Sequence, residues 1–146
     1  MARIFTSLED PELIAMIHTG CVGVLPTDTV YGLVAKASDE HAVHKLYQTK
    51  PRELAPGTMI GDSVAAFTEL GFSADQLSRV THYWPAALSV VLDASNVAPY
   101  LKQNRDALPV RIPDSSSLSK LLHQTGPLMT TSANAPKQPT STSAIS

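Results

Sequence analysis

The chain carries a single cysteine in 146 residues, which excludes a disulfide framework of the kind that holds small secreted domains together. That residue, Cys21, sits in the apolar run Cys21-Val22-Gly23-Val24-Leu25 and reads as a small buried hydrophobe rather than a nucleophile. Charge is also sparse: Asp, Glu, Lys and Arg make up 16% of the residues and the net charge is −2. Broad nonspecific nucleic-acid binding needs a basic face, so any RNA contact is expected to be weak, indirect or confined to a local patch. No apolar stretch approaches the ~20 residues of a membrane-spanning helix. The opening MARIFTSLEDPEL also lacks the apolar core of a secretory signal. A soluble, cytoplasmic protein with no membrane partner is expected.

The common phosphate cradles are missing too. There is no Gly-x-x-x-x-Gly-Lys-Ser/Thr loop, and no Gly-x-Gly-x-x-Gly follows an apolar strand. A Gly-x-Ser-x-Gly nucleophile elbow is absent. The five histidines have no cysteine partners and no His-Glu-x-x-His pattern, so no metal-ligand set is expected. His41 and His44, three residues apart, read as exposed helix surface rather than a zinc pair.

What is present is the pattern of one α/β domain spanning residues 1–146, with helices and strands interleaved and no internal repeat. Asp10-Pro11-Glu12 is a helix start, with Leu13, Ile14 and Ile17 inward and a stop at Gly20. Further helices are expected from a Ser38 cap to about Tyr47, over roughly 62–70 and 73–83, and from an Asp114 or Ser115 cap to about His123. Strands are expected over 21–25, 58–60, 88–92, 108–112 and 127–131. Trp84-Pro85 reads as a core plug and helix stop rather than a platform for a base. The tail from Gln138 to Ser146 looks like the entry to another helix, and reads equally as a flexible terminus or as a longer domain cut short at its C-terminus.

Three segments place polar residues two apart beside an apolar element, a spacing that puts side chains on one side of an extended chain. In Pro26-Thr27-Asp28-Thr29-Val30-Tyr31-Gly32, the hydroxyls of Thr27, Thr29 and Tyr31 could grasp a polar small molecule. A threonine-rich strand edge with a turn is the plainer reading of that stretch alone. In Lys50-Pro51-Arg52, the proline pushes Lys50 out of the helical region, and two cations can converge on a di- or triphosphate. A solvated basic loop is the alternative. In Thr130-Thr131-Ser132-Ala133-Asn134-Ala135-Pro136, Ser132 and Asn134 could meet phosphate or ribose oxygens, or simply build a turn. Arg111, inside the apolar Val110-Arg111-Ile112-Pro113, must meet a carboxylate or reach a ligand, since an unpaired charge there is costly.

In this order, PTDTVYGL, Lys-x-Arg, WPAALSVVL, PVRIPD and TSANAP resemble the YrdC-like family of L-threonylcarbamoyladenylate synthases, from about Gly20 to Pro139. The resemblance implies a twisted, mixed, open sheet flanked by helices. It also implies a nucleotidyltransferase that joins ATP, L-threonine and bicarbonate into threonylcarbamoyl-AMP, with Mg²⁺ accompanying the ATP. A downstream complex would move that group to tRNA. By the same likeness Lys50 and Arg52 are catalytic and hold phosphates, and Ser89, Ser132 and Asn134 bind nucleotide. Thr27, Thr29, Tyr31 and Arg111 would line the threonine pocket. Where relatives commonly carry Trp-Pro-Gly-Pro-Leu-Thr, this chain has Trp84-Pro85-Ala86-Ala87-Leu88-Ser89, and Glu53 stands where a proline usually follows the arginine. The altered Trp-Pro loop and the short C-terminus motivate one alternative, a noncatalytic RNA- or nucleotide-binding module of the same fold. A second, a carbamoyltransferase-type domain, is implied because the family's fold also occurs inside larger carbamoyltransferases.

Overall fold

Short polar side chains start most of the helices, as their ability to accept from free backbone amides dictates. In the computed structural model, which describes residues 3–26, 31–48, 57–103, 105–132 and 144–145, Asp10 accepts from the Glu12 amide at 2.8 Å and opens α1 (Pro11–His18). Helix α2 spans Glu40–Gln48. Its cap contact comes from Asp39, which accepts from the Ala42 amide at 3.1 Å, and not from the expected Ser38. Asp39 directly precedes the helix, which is where a short side chain reaches the third free amide. Ser63 caps α3 (Val64–Glu69) and Ser73 caps α4 (Ala74–Val80). A single 3₁₀ turn, Thr81–Tyr83, replaces the last turn expected of α4. The four-residue α5 (Pro99–Lys102) was not expected from the pattern. Ser115 caps α6 (Ser116–Thr125) through the Leu118 amide.

The strands are β1 (Arg3–Ile4), β2 (Gly23–Pro26), β3 (Tyr31–Lys36), β4 (Thr58–Ile60), β5 (Val90–Asp93), β6 (Ala107–Arg111), β7 (Leu128–Ser132) and β8 (Ala144–Ile145). They form one sheet in the order β1-β8-β2-β3-β7-β4-β6-β5. Only β4 and β6 pair in parallel, so the sheet is mixed, as the resemblance implied. Two expectations are corrected. Tyr31 does not continue the 21–25 strand; it begins β3, which folds back on β2 with Pro26 opposite Tyr31. The described part of the tail, Ala144–Ile145, is a strand paired with β1 and β2 rather than a helix start.

Residues directly opposite across neighbouring strands point to the same face, so the register sorts the sheet into two sides. Ala35, Met129, Met59 and Val110 form one such row, and all are buried. They pack with Ala42, Val43 and Leu46 of α2, Phe67 of α3, Leu77 of α4 and Leu101 of α5. Trp84 plugs this side: its ring lies 6.2 Å from Phe67 and its indole N–H donates to the Leu88 carbonyl at 2.7 Å. On the other face Leu25, Val34, Ile60 and Leu128 meet Leu13 and Ile17 of α1 and Leu118, Leu121 and Leu122 of α6. Cys21 is half-buried beside this second cluster, in keeping with its reading as a small hydrophobe.

Candidate functional site

The described strand ends nearest the three polar segments lie at one end of the sheet. Strand β7 ends at Ser132, whose backbone lies opposite Gly32 near the start of β3. One residue on, Tyr31 is opposite Pro26, so the turn bearing the first threonines opens beside the end of β7. Strand β4 starts at Thr58, opposite Thr130, so the segment that follows Lys50-Pro51-Arg52 rejoins the sheet here. Gly57 marks the junction: a Cβ there would lie 2.4 Å from the Thr130 carbonyl oxygen, so only glycine permits this approach. Thr27, Thr29, Lys50, Arg52 and Asn134 themselves lie outside the described residues.

The face carrying α1 and α6 changes character away from those helices. Thr130 is opposite Thr58, and Pro109 is opposite Val91. Since Met59 is level with Val110, Thr58 is level with Pro109, and Thr130, Thr58, Pro109 and Val91 make one row across four strands. Val91 is 66% exposed, so the outer end of this row is open to solvent. The next row on the same face runs Leu128, Ile60 and Arg111.

Arg111 is only 7% exposed, and its Nη1 donates to the Ser89 hydroxyl at 3.1 Å. That bond holds the guanidinium against the chain just before β5. The sequence assigned Ser89 to a nucleotide; the structure places it against the arginine. Arg111 is level with Leu128, four residues along β7 from Ser132, or roughly 13 Å of strand. Between the two lie the hydroxyl-bearing positions Thr58 and Thr130, which the motif search did not assign. Their signal was a hydroxyl at an inward position of an apolar strand. Tyr31 alternates with Leu33 and Ala35, and so belongs to the opposite face from Arg111. The sheet does not bring those two together.

Two tyrosines tie α5 to the two ends of α2, and only Tyr47 lies towards this end of the sheet. The Tyr100 hydroxyl donates to the Ala37 carbonyl at 2.8 Å, tying α5 to the start of α2. The Tyr47 hydroxyl donates to the Leu101 carbonyl at 2.8 Å, tying the end of α2 to α5. Burial pushes the Tyr47 phenol from 10.0 up to about 12, although the Gly57 amide partly offsets this by donating to its oxygen. Burial also raises Tyr100, and the nearby Glu40 and Asp39 carboxylates add to it. His41 and His44 are both exposed on α2.

A family model for Sua5, YciO and YrdC proteins, described as telomere recombination, matches residues 15–146. The chain is 33% identical over 135 residues to a threonylcarbamoyl-AMP synthase of Vibrio cholerae serotype O1, covering 88% of this chain and 72% of that protein. It is also 33% identical over 135 residues to a threonylcarbamoyl-AMP synthase of Pyrococcus abyssi, covering 88% of this chain but 39% of the relative. The crystal structure of P. abyssi Sua5 complexed with L-threonine matches with a TM-score of 0.74 and 28% identity, over 88% of this chain and 39% of that one. No helix among the described residues is long and apolar enough to cross a membrane.

Proposed function

The chain belongs to the Sua5, YciO and YrdC family, and from that premise we propose that it makes threonylcarbamoyl-AMP from ATP, L-threonine and bicarbonate. The observation that carries this reading is the open row of the sheet. Thr58 and Thr130 stand between the buried Arg111–Ser89 pair and the end of β7, on strands that lead into the three polar segments. That is a line of hydroxyls running from a buried cation towards the strand ends that adjoin the polar segments.

In this reading Arg111, steadied by Ser89, takes the threonine carboxylate, and Thr27 and Thr29 supply hydroxyls to the amino acid from the segment between β2 and β3. Tyr31, on the other face, is left out of that pocket. The threonine nitrogen combines with bicarbonate, releasing water and leaving an N-carboxylate. A carboxylate oxygen attacks the α-phosphorus of ATP, the bond to the bridging oxygen breaks, and pyrophosphate departs. Negative charge grows on the leaving group, so Lys50 and Arg52 act by position and charge rather than by proton transfer. Ser132 and Asn134 hold the nucleotide. The transfer makes the protein a nucleotidyltransferase.

When bound with ATP, magnesium would supply charge neutralisation at the phosphates, beside Lys50 and Arg52. The protein works in the cytoplasm, and a separate tRNA-modifying complex takes the product onward. The test is pyrophosphate release with ATP, omitting threonine and bicarbonate in turn. Release that needs both supports the proposal; no release together with no ATP binding defeats it.

A further inference from the structure

The hydroxyl of Tyr47 sits at the junction of three pieces of chain. Tyr47 itself lies one residue before the end of α2. Its oxygen receives the Gly57 amide at 3.4 Å and donates to the Leu101 carbonyl of α5 at 2.8 Å. Residue 47 stands three positions before Lys50, and Gly57 stands five positions after Arg52. One oxygen therefore joins both ends of the stretch that contains the Lys-x-Arg pair.

The bond to Leu101 anchors this joint to the body of the domain. Leu101 is buried to 1% exposure, and Tyr100 beside it is tied independently to Ala37. On its other side Gly57 is pressed against β7, where the Thr130 carbonyl leaves no room for a Cβ. Packing does not need the hydroxyl: Ala42, Val43 and Leu46 bury the face of α2 completely, and a phenylalanine ring would fill the same space. What the hydroxyl alone supplies is a partner for the Gly57 amide and a fixed separation between α2 and β4.

We infer that Tyr47 is a positioning residue for nucleotide binding, joining the end of α2 to the residue before β4, between which Lys50 and Arg52 fall in the sequence. This rests on the reading of Lys50 and Arg52 given above. The substrate contacts belong to those two cations, and Tyr47 acts through the chain that carries them. The hydroxyl remains protonated throughout the neutral range, because burial raises its phenol to about 12.

The test is Tyr47→Phe. It is read by the KM for ATP and for threonine in pyrophosphate release, and by calorimetric affinity for a nonhydrolysable ATP analogue. The expected result is a roughly tenfold rise in KM and Kd for the nucleotide, the scale of one or two lost hydrogen bonds. The threonine KM and the melting temperature should change little. Unchanged nucleotide affinity in folded Tyr47→Phe would overturn the inference. So would a parallel loss of ATP affinity, threonine affinity and melting temperature, which is the pattern of a purely structural role.

If the variant does not fold, amide exchange in the unaltered protein decides. The Gly57 amide should exchange slowly and slow further with the ATP analogue; fast exchange that ignores the analogue overturns the inference. Lys50→Ala and Arg52→Ala separate the two layers. If both weaken ATP while Tyr47→Phe does not, only the positioning role fails. If neither weakens ATP, the phosphate reading fails and the inference with it.

Discussion

The two faces of the sheet are built from the same strands and do different work. One is closed: Ala35, Met59, Val110 and Met129 lie under four helices, and Phe67, Phe72 and Trp84 fill the remaining space. The other is only partly closed. Helices α1 and α6 cover Leu25, Val34, Ile60 and Leu128, and beyond them the rows turn to Thr58, Thr130, Ser89 and Arg111. Alternation along a strand makes this division possible, because adjacent residues can serve core and ligand separately. Stability should therefore reside on the closed face and binding on the open part of the other.

The largest effect expected from this contrast is Phe67→Ala. Phe67 is fully buried between Phe72 and Trp84, and its loss should cost about 3–5 kcal/mol of unfolding free energy. Denaturant titration measures it, and any protein still folded should keep its KM for threonine. A raised KM in the folded fraction would break the separation of faces.

Arg111→Met reverses the pattern. The stem still packs but the charge is gone, so kcat/KM for threonine should fall roughly tenfold or more while the melting temperature moves little. Steady-state kinetics beside a thermal melt decides, and a large melting shift with intact kinetics would make Arg111 part of the core.

Smaller is a pH effect confined to the closed side. Tyr47 has its phenol raised from 10.0 to about 12 in the folded chain, so between those values the unfolded chain has released a proton the folded one retains. Stability present below pH 10 should therefore decline as pH rises towards 12. The decline should be shallower in Tyr47→Phe, as followed by denaturant melts at stepped pH; identical slopes would contradict burial of the hydroxyl. Least of all, Val91→Thr at the exposed end of the open row should alter stability by no more than about 0.5 kcal/mol. A larger loss by denaturant titration would mean that Val91 is packed.

Local chemistry made several elements readable in advance. Asp10-Pro11 and Ser115 announce their helices because capping depends on neighbours only a few residues away. Strand β3 escaped notice because its residues, Tyr31-Gly32-Leu33-Val34-Ala35-Lys36, have no clean alternation. Apolar side chains fall on both of its faces, Leu33 and Ala35 on one and Val34 on the other, so hydrophobicity leaves no period of two to detect. The two-residue β1 and β8 and the four-residue α5 are too short for any periodicity. Among site residues, the motifs named Arg111 and Ser89 separately, and nothing local links positions 22 residues apart. Thr58 and Tyr47 carry no motif at all.

By itself, then, the sequence determined the α/β class, most helix starts, the apolar cores and the set of polar residues worth suspecting. Those follow from capping, periodicity and side-chain chemistry, which act over a few residues. Only the tertiary structure decided that the end of β7, the start of β4, Pro26 of β2 and Tyr31 of β3 share one end of the sheet. It alone paired Arg111 with Ser89, and it alone set the Tyr47 hydroxyl between Gly57 and Leu101. Strand order and register arise from long-range burial on two faces at once, and no local run of residues contains that information.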